Sequence, residues 1–79
     1  NSRYSYVYGI ALNSRGQAEL ALEILNDSRN LHQRDRDILW ALATINRDAG
    51  NIQEAKAMAR ELVMLFPGDN AAKQLLKTL

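Results

Sequence analysis

Residue types recur along this chain at a spacing of 34 positions, and that period constrains the fold more than any other feature. Gly16 returns as Gly50, Ala21 as Ala55, Leu31 as Leu65 and Asp35 as Asp69. A fixed period of this size marks a stacked helical repeat, in which each unit buries its apolar face against the next. Such a chain offers a surface, so binding is expected rather than catalysis. Its 79 residues allow one small domain. A core of this size supplies only roughly 3–5 kcal/mol of net stability, and two repeats fall below the roughly three that usually stack stably. The chain begins Asn-Ser-Arg without Met. The expectation is therefore the C-terminal piece of a longer array, or a chain that self-associates.

Local signals divide the sequence into five helices. The first is predicted from about Arg3 to Ser14, ending where Gly16 can take the left-handed conformation of a helix stop. The second runs from about Ala18 to Asn30, with Leu20, Ile24 and Leu31 on one side and Ala21, Leu25 and Ser28 beside them. Asp35 is a good N-cap for the third. That helix carries Ile38, Leu39, Leu42, Ile45 and Asn46 at helical spacing and stops at Asp48-Ala49-Gly50. The fourth starts near Ile52 and ends before Pro67, which cannot continue it. Asp69 caps a short final helix bearing Leu75, Leu76 and Leu79. Short connections force neighbouring helices to run antiparallel.

These residues resemble the tetratricopeptide repeat. In the second unit, about 36–69, Leu39, Leu42, Ala43, Gly50, Ala55, Leu62 and Pro67 are the types that the family's pattern calls for. In the first, about 2–35, Tyr8, Gly9, Leu12, Gly16 and Ala21 match, whereas Ser28 replaces an apolar residue and Gln33 the closing Pro. Residues 70–79 resemble the solvating helix that finishes such arrays. Their style is also similar to the ends of long bacterial chains with these repeats, some of them exported multihaem proteins, although no haem-attachment motif occurs here. The resemblance implies an all-α, right-handed solenoid of antiparallel helix pairs. Small residues facing each other, Gly9 with Ala21 and Ala43 with Ala55, are expected to let paired helices approach closely.

The resemblance also implies a concave groove lined by the first helix of each pair. It carries over to Arg3, Tyr6, Ile10 and Asn13, and to Asp37, Trp40, Thr44 and Arg47. Tyr6 and Trp40 are one period apart, as are Ile10 and Thr44, so they form adjacent rungs. Aromatic rings beside Asn and Arg make good anchors for a protein or peptide. Trp40 alternatively packs sideways on a neighbouring repeat or the closing helix, and Arg47 with Asp37 or Asp48 alternatively forms a solvated ion pair. The Lys, Asn and Arg residues with which chaperone-binding members hold a terminal carboxylate are replaced here by Tyr6, Ile10, Ala41, Ala71 and Leu75, which argues against that ligand.

The first helix is apolar over more than half its circumference, through Tyr4, Tyr6, Val7, Tyr8, Ile10, Ala11 and Leu12. Such a surface expects cover. Tyr4, Val7 and Ala11 are the candidates for contact with a preceding repeat or with a second copy in a homodimer. A structural or oligomerising end-cap is therefore the alternative function.

Other classes have little support. Ten basic and nine acidic residues are interspersed, for a net charge of +1, so no basic stripe suits nucleic acid or an anionic membrane. Apolar runs are too short to span a bilayer. His32 is the only histidine and there is no cysteine. No nucleophile–base pair, metal site, phosphate loop or cofactor motif stands out, and the expectation is not an enzyme. Asn46, on the core-facing side, must find a hydrogen-bond partner if it is buried.

Overall fold

A computed structural model describes all residues, 1–79. Five helices form, α1 (Ser2–Ser14), α2 (Ala18–Leu31), α3 (Arg36–Asp48), α4 (Ile52–Leu65) and α5 (Asn70–Thr78), with no strand. The bounds agree with the local signals to within a residue or so. The predicted caps explain this. The Asp35 carboxylate accepts from the Asp37 and Ile38 amides, and the Asp69 carboxylate from the Ala72 amide. Asn1, which the sequence analysis did not single out, accepts from the Tyr4 amide at α1. Three caps thus stand 34 residues apart, each satisfying amides that the first helical turn leaves free.

The backbone of the connections repeats with the same period. Gly16 and Gly50 have φ of +80° and +85°. At the first, the Gln17 amide donates to Leu12 O (3.0 Å) and the Gly16 amide to Asn13 O (3.0 Å). At the second, Asn51 donates to Asn46 O (2.8 Å) and Gly50 to Arg47 O (3.1 Å). This doubly bonded helix stop requires a left-handed residue, which glycine adopts without a Cβ penalty. A second pattern also recurs. His32 donates to Ser28 O and Asp35 to His32 O, as Phe66 does to Leu62 O and Asp69 to Phe66 O.

α1 packs on α2, α3 on α4, and α3 also on both α1 and α2, while α5 packs on α4. The Arg29–Glu61 ion pair (2.6 Å) ties α2 to α4. The helices therefore lie in two layers, α1, α3 and α5 on one side and α2 and α4 on the other. The shortest molecular extent, 16 Å, is close to the ~13–15 Å that two helix layers occupy when measured at Cα. At the centre, Ile38, Leu39, Ala41, Leu42, Ala43 and Ile45 of α3 are buried together with Leu25, Ala59 and Leu62.

Three details differ from, or sharpen, the expectations. The nearest neighbour of Gly9 across the helix pair is Leu25, and a Cβ at Gly9 would lie 2.7 Å from Leu25 Cγ. One period later the same positions are Ala43 and Ala59, both fully buried. One crossing thus combines a bare backbone with a large side chain, and the other two methyls. On α2, Leu31 lies mostly in solvent and Leu20 is 41% exposed, because the helix buries the narrower stripe Ala21, Leu25 and Ser28. Asn46 is buried, and its amide donates to Leu42 O (2.8 Å) while its carbonyl accepts from Asn51 Nδ2 (3.1 Å). That bond replaces the apolar contact that often closes this type of helix stop.

Two stability outcomes follow from this packing. Gly9→Ala should destabilise the fold by about 1–2 kcal/mol, overpacking against Leu25 outweighing the better helix propensity of Ala. In a Leu25→Ala background the clash is gone, and the same substitution should become neutral or stabilising. Urea unfolding of the four proteins of this cycle measures the sign change. Ser28 is buried and its hydroxyl has no partner, so Ser28→Ala should raise stability by about 1 kcal/mol, read as a higher urea midpoint.

Candidate functional site

On the α1–α3–α5 side, α3 and α5 leave an open groove of about 320 Å³ lined by Trp40, Arg47, Ala71, Gln74, Leu75 and Thr78. Trp40 and Arg47 are seven residues apart, two helical turns, and so project from one face of α3. Trp40 is half-buried, packing on the core while lining the groove. The two roles weighed for it therefore coexist. Gln74, Leu75 and Thr78 complete the far wall. Sequence analysis did not pair them with Trp40, because only the packing angle of α5 brings them across.

Trp40 is held by a charged neighbour. The Arg36 guanidinium lies 4.8 Å from the centre of its ring and donates from Nε to Asp69 Oδ2 at 2.7 Å. A second carboxylate, Asp37, lies 3.8 Å away. The hydrogen bond to Asp69 raises the Arg36 pKa above its ordinary value, with burial opposing and the charges of Asp69, Asp37 and Tyr6 adding to it. In return Arg36, followed by the Ala72 amide, holds the Asp69 carboxyl below the usual carboxylate range. One carboxylate thus caps α5 and anchors the cation that stacks on Trp40. Earlier in the chain, Ser2 and Asp35 hold the same two positions. Burial pushes Asp35 up, but the Ser2 side chain and the Ile38 and Asp37 amides outweigh it. Arg36 is not among the residues that the sequence singled out, since its partner Asp69 lies 33 positions away.

The other residues implied by the resemblance divide into groups. Tyr6 is half-buried against the core and lies on the Arg36 side of the molecule, where it adds slightly to the rise of the Arg36 pKa. Ile10 is partly exposed and Asn13 half-buried. Thr44 turns its hydroxyl to Trp40 O (3.0 Å) and Ala41 O (3.3 Å), which occupies its proton within α3. Asp37 is half-exposed beside Arg36, and Arg47 pairs with Asp48 at 3.0 Å. Arg3 stands apart from the groove. It lines a separate shallow depression on the outer side of α1 with Asn1, Tyr4, Val7, Tyr8 and Ala11. His32 is exposed at the end of α2. No helix is long and apolar enough to cross a membrane.

No protein-family model, curated protein or solved structure matches this chain. The functional argument therefore rests on the geometry.

The Arg36–Asp69 pair has a pH signature. Because the Asp69 pKa is lower in the folded chain than its ordinary 3.8, its stabilisation is complete above that value and disappears as pH falls through the folded one. Asp69→Asn keeps a capping side chain but loses the charge. It should flatten the loss of stability between neutral and acid pH, measured as the urea midpoint against pH.

Proposed function

We propose that this chain is a tetratricopeptide-like unit, two antiparallel helix pairs and a closing helix in a right-handed solenoid, that binds a protein or peptide segment along the α1–α3–α5 face. The observation that carries the proposal is the groove at Trp40. A large aromatic surface remains open beside Leu75, with an arginine two turns away and an amide opposite. An apolar side chain seated on the indole, with polar groups reaching Arg47 and Gln74, is the occupant this wall suits. Support for the fold comes from the 34-residue recurrence of caps, glycine stops and turn hydrogen bonds.

The charges favour recognition over electrostatic capture. Arg36 is engaged by Asp69 and Trp40, and Arg47 is shared with Asp48. The ring is thereby preorganised, which lowers the entropy cost of binding. Binding, not catalysis, is the role these groups suit, since none of them forms a nucleophile–base pair.

A peptide-display screen against the folded chain tests this. Trp40 is the only tryptophan, so its fluorescence reports occupancy directly. Selected peptides should shift its emission, and Trp40→Ala should weaken them by about 30-fold or more, the scale of a buried aromatic anchor. Arg47→Ala should weaken acidic peptides by a smaller factor and leave the fold intact, its pair with Asp48 being exposed. Peptides indifferent to both substitutions would refute the groove.

A further inference from the structure

The outer face of α1 differs from the same face of the other two helices in its layer. Tyr4 and Val7 are 76% and 55% exposed, and Ala11 is exposed too. One period later these positions are Ile38, Ala41 and Ile45, all buried; two periods later the first two are Ala72 and Leu75, buried again. The difference lies in the neighbours. α3 packs on the helix pair before it, α1 and α2, and α5 packs on α4 of the pair before it. α1 has α2 and α3 beside it and no pair on its other side. Positions 4, 7 and 11 thus belong to the face each unit turns toward the pair that precedes it.

A second, independent observation concerns charge. Glu61 of α4 receives Arg29 of the preceding pair at 2.6 Å. The residue 34 positions before Glu61 is Asp27, an exposed carboxylate on α2 that makes neither an ion pair nor a side-chain hydrogen bond. Its place in the register is one where a cation from a preceding pair would arrive.

We infer that the outer side of α1 and α2 is a docking surface for one more antiparallel helix pair stacked in the same register, covering Tyr4, Val7 and Ala11 and presenting a Lys or Arg to Asp27. The other end of a second copy does not fit this description. There α5 covers the preceding helices, and exposed Lys73 and Lys77 stand where α3 has buried Leu39 and Ala43. Val63 replaces Arg29, so that end lacks the cation at the position that pairs in this register. The inference rests on the periodic burial and charge, not on the groove at Trp40.

The test places a copy of residues 1–34 directly before Asn1 of the full chain. In this tandem protein the added Arg29 falls in register with Asp27, and Asn1 takes the capping place of Asp35. The tandem should unfold in one transition, with a higher urea midpoint and a steeper denaturant dependence than the 79-residue chain, because more surface is buried cooperatively. Val7→Glu or Asp27→Lys in the original part should abolish or reduce the gain. The same changes in the 79-residue chain should leave its midpoint unchanged, since both side chains are exposed there. An added pair that melts separately, or a gain indifferent to both substitutions, would overturn the inference. So would sedimentation showing that the 79-residue chain dimerises and that Val7→Glu abolishes the dimer, which would assign the face to a second copy.

Discussion

Burial of α3 on both flanks is the constraint on which the rest of the molecule depends. It is the one helix that packs on α1, α2 and α4 together. Seven of its residues are buried, so only a narrow strip bearing Asp37, Trp40, Thr44 and Arg47 stays partly open. Trp40 and Arg47 of that strip form one wall of the groove. Core and candidate site are thus opposite sides of one helix, and packing that fixes the rotation of α3 also fixes the direction of Trp40. A helix anchored in this way loses little freedom when a ligand arrives, which is the physical content of preorganisation.

The side-chain electrostatics serve the same end. Asp69 caps α5, binds Arg36, and through Arg36 acts on the Trp40 ring. The start of α3, the start of α5 and the half-buried indole are therefore coupled. Arg29–Glu61 ties the other layer together in parallel. These pairs are partly exposed and contribute modestly to stability. Their effect is to set register between successive units, since each joins residues about one period apart.

The two ends of the molecule are chemically unlike. α5 turns Lys73, Gln74 and Lys77 to solvent, where a charged helix is at ease, whereas α1 turns out Tyr4, Val7, Tyr8 and Ala11. The two ends therefore differ as surfaces for stacking. The docking inferred above suits the apolar α1 side, whereas on the α5 side a following helix would have to desolvate lysines.

What the sequence by itself determined is whatever depends on short-range chemistry. Gly16 and Gly50 stop helices because only left-handed backbone closes those turns, and Asp35 and Asp69 start them because their carboxylates satisfy free amides within three residues. The helices and their order were legible for that reason, whereas the candidate face of α3 came from the resemblance to the tetratricopeptide repeat. Only the tertiary structure decided which residues meet across helices. Gly9 meets Leu25, Leu31 is left in solvent, Arg36 reaches Asp69 across 33 residues, and α5 brings Gln74 and Leu75 opposite Trp40. Each of these depends on the rotation and crossing angle of two packed helices. A spacing along one chain segment specifies a face, but the neighbour that meets it is chosen by how all the faces pack at once.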